Sequence, residues 1–120
     1  MGFLYSQHLQ QSRLFKQLFT EFNGRYDKLN QPLNEIRDRP SGALLNPEDR
    51  KVLFDYFNLC TEQYLFFRAG YIDKNVWGSW CNGMSQFTED PEIRELWEAE
   101  LKSNSYYGFT LLVCRKMAPG

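Results

Sequence analysis

Leu14-Phe15-Lys16-Gln17-Leu18-Phe19-Thr20-Glu21-Phe22-Asn23-Gly24-Arg25-Tyr26-Asp27-Lys28-Leu29, running on through Pro32-Leu33 to Ile36, is the stretch that decides the fold. It belongs to a heptad pattern that extends from Tyr5 to Ile36. One set of positions reads Tyr5, Ser12, Phe19, Tyr26, Leu33; the other reads His8, Phe15, Phe22, Leu29, Ile36. The steps alternate three and four residues, the seam spacing of packed helices. Only Ser12 and His8 break the apolar seam. Leu4, Leu9, Leu14 and Leu18 flank it and widen the apolar face. The pattern predicts one long helix over 4–37. Pro32 costs about 3 kcal/mol in a helix interior. Because Leu29, Leu33 and Ile36 hold the phase across it, the expectation is a continuous helix kinked at Pro32.

Beyond this helix, Arg39-Pro40-Ser41-Gly42 reads as a linker. Asn46-Pro47-Glu48-Asp49 then opens a second helix. Asn caps it, Pro fits the first helical position, and the two acids suit the positive end of the helix dipole. This helix should run to about Ala69, with Gly70 as its stop. Val52, Leu53, Phe54, Tyr56, Phe57, Leu59, Cys60, Tyr64, Leu65, Phe66 and Phe67 leave only Lys51, Asp55, Asn58 and Glu62 as a polar face. A helix so nearly apolar all round is a central one. Asp73 caps a third helix, about 74–87, with Trp77, Trp80, Cys81 and Met84 inward. Gly78 and Gly83 in its interior suggest close packing of a neighbour. Asp90-Pro91-Glu92 opens a fourth helix to about Ser103, with Ile93, Leu96, Trp97 and Leu101 inward. Residues 105–108 form a turn, and Phe109–Cys114 is a short apolar run that fits helix or strand, with a final helix favoured because nothing else in the chain would pair with a strand. The fold expected is all-α: a single domain over 1–120, with a long coiled-coil-like N-terminal helix (4–37), a bundle core (47–117) and a buried central helix.

Composition narrows function by exclusion. The 120 residues carry a formal charge of −1, and their 14 basic residues are scattered rather than clustered. Nucleic-acid binding needs concentrated Lys and Arg, so no such partner is expected. Ten Phe, seven Tyr and three Trp supply a large-residue core. Cys60, Cys81 and Cys114 form no C-x-x-C pair, which suggests neither a zinc site nor a disulfide framework, and favours a reducing, cytoplasmic setting. No run of about 20 apolar residues is present. Met1-Gly2-Phe3-Leu4-Tyr5-Ser6 matches the short myristoylation pattern, which on its own has little weight.

Tyr56-Phe57-Asn58-Leu59-Cys60-Thr61-Glu62-Gln63-Tyr64-Leu65-Phe66, then Gly70-x-Ile72, then Val76-Trp77-x-x-Trp80-x-x-Gly83-Met84, resembles a small all-helical bacterial family of unknown function. Phe19-x-Glu21-Phe22-Asn23-x-Arg25-Tyr26-Asp27-x-Leu29-Asn30 and Ile93-Arg94-x-x-Trp97 fit the same pattern. The resemblance covers roughly residues 14–109. It implies an all-helical fold and no activity. It also implies a membrane helix upstream of the long-helix segment in many members, hence proximity to the cytoplasmic face of a membrane. The present chain begins Met1-Gly2 without one.

Candidate sites are few. Asp55, Asn58 and Glu62 share a helix face and read as a solvated stripe more readily than as acid–base or cation-binding groups. His8 lies in the seam, far from any partner for a di-iron or triad arrangement. Cys60 and Cys81, flanked by aromatics, read as small core residues. Arg68–Asp73 joins two helices as a helix-turn-helix does, but the next helix offers too few basic groups to read DNA. No catalytic residue, cofactor or metal is expected. The leading expectation is a non-enzymatic module that self-associates as a homo-oligomer through Leu4, Tyr5, Leu9, Phe15 and Phe19 of the long helix. The alternative is a domain that binds a small apolar ligand or a peptide among Tyr64, Phe67, Trp77, Trp80 and Trp97.

Overall fold

A computed structural model describes the backbone of residues 2–115 and the side chains of residues 9–114. All its regular elements are helices: α1 (Gly2–Arg37), α2 (Pro47–Arg68), α3 (Lys74–Thr88), α4 (Pro91–Leu101) and the short α5 (Leu112–Arg115). The protein is an all-α bundle. α1 packs along α2, α2 against α3, and α3 against both α4 and α5. At about 1.5 Å per residue the 36 residues of α1 span roughly 54 Å, most of the 61 Å long axis of a body only 29 by 27 Å across. Pro32 lies inside a helix that continues through it.

The boundaries follow from local chemistry. The side chain of Asn46 accepts the Asp49 amide at 2.7 Å while the Asp49 carboxylate accepts the Asn46 amide at 3.1 Å. This reciprocal capping box satisfies two of the amides that a helix start leaves unpaired. At the other end of α2, Gly70 takes a φ of +90°. The Gly70 amide then donates to the Phe67 carbonyl and the Tyr71 amide to that of Phe66, each at 3.0 Å. With the Phe66 and Tyr71 rings 6.4 Å apart, this is a complete Schellman stop with its apolar clasp. Asp73 and Asp90 cap α3 and α4 through their side chains.

The core centres on α2, as its apolar circumference requires. Trp97 lies flat between Phe57 and Phe109, with centroids 4.4 and 5.4 Å away, and meets Tyr56 edge-on. Trp77 stacks on Phe67 at 5.0 Å. From α1, Leu18, Phe22, Leu33 and Ile36 complete the core. From Phe22 onward, the seam therefore serves chiefly to bury α1 against its own chain.

Three expectations change. Cys81 and Cys114 are joined as a disulfide, with Cα atoms 5.2 Å apart, whereas the spacing of the cysteines suggested no such link. The α3–α4 hairpin and the chain after it bring α5 back onto α3, a return no local pattern encodes. The argument for a reducing setting loses its ground with that pair. Gly78 and Gly83 admit no close neighbour, because a Cβ built on either meets nothing within 4 Å. On α2, Leu65 is exposed while Thr61 and Gln63 are buried, so two polar residues take inward positions that periodicity alone would give to apolar ones.

Candidate functional site

The surface of α1 and the interior beside it contain the two features worth weighing. On the outer side, Phe15 and Phe19 stack at 5.7 Å, and Phe19 stacks on Trp80 of α3 at 6.3 Å. Phe19 remains 36% exposed, and Tyr71 in the α2–α3 turn is equally exposed. Phe15 is half-buried and packs on the core edge. Leu9 is also half-buried, whereas the side chains of Leu4 and Tyr5, and of His8, lie outside the described residues. Of the three expected interface positions with described side chains, Leu9, Phe15 and Phe19, it is Phe19 that is left exposed.

Of the five expected pocket residues, Trp77 and Trp97 are sealed within the core. Tyr64 and Phe67 pack around Trp77. Trp80 lines a cavity. That cavity lies between α1, α2 and α3 and has a volume of about 240 Å³; Asn23 and Tyr26 line it from α1, Tyr56, Leu59 and Gln63 from α2, and Ser79, Trp80, Gly83 and Met84 from α3. Gln63 is only 5% exposed. Reading the sequence for apolar periodicity missed it. Its register was the available signal, since 56, 59 and 63 follow one another on one helical face.

The polar face of α2 is a mixed case. Asp55 and Asn58 are exposed, as expected of a solvated stripe. Glu62 is half-buried and accepts two hydrogen bonds from the Arg25 guanidinium of α1, at 2.6 and 3.1 Å. The bond to Glu62 is the main cause of an Arg25 pKa above its ordinary value. Such a forked pair fixes the rotation of α1 on α2. A second cluster ties the linker to α4. Arg39 forms an ion pair with Asp90 at 2.9 Å and donates to Glu92 at 3.1 Å.

The buried titratable groups are held in their neutral forms. Burial pushes the Cys60 thiol and the Tyr56 hydroxyl well up. A thiol so placed is poor in thiolate, the nucleophilic form. Among the described residues no three His, Cys, Asp or Glu side chains gather as a metal site, and no helix is long and apolar enough to cross a membrane. A larger groove of about 590 Å³ lies between α3, α4 and residues 110–112. None of its lining residues is buried, and Glu89, Arg94, Glu98 and Lys102 give it both signs of charge. No family model, curated protein or solved structure matches the chain.

Proposed function

We propose that this chain is a non-enzymatic helical interaction module that pairs with a second copy of itself through the N-terminal half of α1. The observation that carries the reading is Phe19, which stacks between Phe15 and Trp80 and is still 36% exposed. An aromatic ridge on an elongated helix is a costly surface to leave in water, and such patches mark interfaces. Phe and Trp also supply large contact area at the centre of protein–protein contacts. A second copy supplies the same ridge, so a two-fold pairing is self-complementary by symmetry.

Sedimentation equilibrium across a range of protein concentrations tests the reading. The expected result is a reversible dimer that Phe19→Glu converts to monomer, with helical content retained because the side chain is on the surface. A chain that stays monomeric at high concentration, or a dimer indifferent to Phe19→Glu, overturns it.

A further inference from the structure

We propose that the cavity between α1, α2 and α3 binds a small, uncharged, planar ligand whose amide-like edge pairs with the carboxamide of Gln63. The starting point is an unmatched polar group. Gln63 is 5% exposed, and its side-chain amide has no hydrogen-bond partner among the described residues. Among the described residues, Trp97 Nε1 is the side-chain polar atom sealed off without a partner, so the Gln63 amide is not sealed off. The Gln63 amide therefore faces the cavity that it lines. A buried carboxamide left unpaired is unfavourable, so such groups find a protein, water or ligand partner. A carboxamide presents one acceptor and two donors. A primary amide or lactam edge answers it with two antiparallel hydrogen bonds.

The walls specify the rest of the ligand. Tyr26, Tyr56 and Trp80 contribute aromatic rings. Trp80 is steadied by an edge contact with Phe22 at 5.8 Å, and Tyr26 and Tyr56 lie 6.3 Å apart. Ring faces of this kind favour a planar aromatic body. No Lys, Arg, Asp or Glu is among the described lining residues, so a charged ligand would find no counter-ion. The volume of about 240 Å³ exceeds the roughly 150 Å³ that suffices to hold benzene. A single substituted ring fits. Gly83 keeps the space free, since a side chain there would occupy it. Asn23 adds a second amide at the half-buried edge. The ligand class is thus polar at one edge, unlike the wholly apolar ligand that the aromatic content first suggests.

The test uses benzamide as the probe, with benzoate and toluene as near-isosteric controls, titrated into the isotope-labelled full chain and followed by NMR. Benzamide should shift the Gln63 side-chain amide and the Trp80 indole signals saturably, with a Kd near 1 mM. Benzoate and toluene should bind at least about tenfold more weakly. Gln63→Leu, which keeps shape and removes the amide, should cost benzamide about tenfold and improve toluene. Gly83→Leu should abolish both by filling the space. Because these outcomes read the cavity and not the Phe19 ridge, their failure leaves the self-association reading standing. Benzamide binding that is indifferent to both substitutions, or the absence of a saturable shift from any of the three probes, overturns the proposal.

Discussion

Arg39 and Glu92, separated by 53 positions in sequence, meet at 3.1 Å and close the loop that follows α1 onto the start of α4. Arg39 also donates to the carbonyls of Ile36 and Ala43 and pairs with Asp90, while the other Glu92 oxygen accepts the Leu45 amide. Each of the three guanidinium nitrogens is thereby engaged. A lysine, with one compact ammonium, cannot reproduce the arrangement. Arg39→Ala should lower stability by about 2 kcal/mol, the range for charged hydrogen bonds that leave partly buried partners unpaired. Arg39→Lys should recover less than half of it. Urea denaturation of the three proteins checks this, and equal midpoints for Lys and Arg would contradict the geometry.

The long helix, the caps and the stop at Gly70 were legible because their causes are local: Asn46, Asp73, Asp90 and Gly70 act within a few residues of themselves. The central placement of α2 was legible too, because an apolar circumference has nowhere else to go. Arg25–Glu62 and the Arg39 cluster were not, since each joins residues on different elements and a charge run looks solvated until its partner is known. Gln63 was hidden by its neighbours, one of three consecutive polar residues, Thr61 to Gln63, in a largely apolar helix, whose inward direction depends on exact register. The cavity itself was beyond reach, because a glycine inside α3 reads as a site of close approach and nothing local marks Gly83 as a gap instead.

The Cys81–Cys114 disulfide closes a loop with a sequence separation of 33. Chain-entropy arguments assign such a closure about 3–4 kcal/mol. Thiol titration of the unfolded, unreduced protein should count Cys60 alone, and reduction should expose the other two. Reduction should also lower the unfolding free energy by about 3 kcal/mol. Cys114→Ser should bring the same loss and make the protein insensitive to reductant. A titration that finds every cysteine free before reduction would refute the pairing.

Gly78 gives a prediction opposite in sign to the one that close packing implies. A Cβ there meets nothing within 4 Å, and glycine inside a helix costs up to about 1 kcal/mol relative to alanine. Gly78→Ala should therefore stabilise by about 0.5–1 kcal/mol. Gly108 serves as the contrast. Its φ is +79°, and a Cβ would come within 3.3 Å of the Arg68 guanidinium. Gly108→Ala should destabilise by about 1 kcal/mol. Thermal melts of the pair decide whether the glycines play these different parts. A loss at Gly78 would mean that a neighbour does approach it.

The alkaline limb of stability should begin at Cys60. Its thiol is pushed up by burial, so the native chain keeps the proton after the unfolded chain has lost its own, near pH 8.5. Over that interval the unfolded state binds fewer protons than the native one, and the slope of unfolding free energy against pH is negative. The contribution is fully present below about pH 8.5 and is lost as pH rises toward the native value. Tyr56, raised by burial, joins near pH 10, the ordinary value for a phenol. Tyr106 joins over the same range. Burial and the hydrogen bond it donates to Glu100 at 2.9 Å hold it at about 12. Urea midpoints should stay level from pH 7 to about 8.5 and then fall in two stages. Cys60→Ala should delay the first fall to about pH 10 while leaving the second. Midpoints that decline below pH 8, or a first stage that survives Cys60→Ala, would assign the alkaline loss to another group.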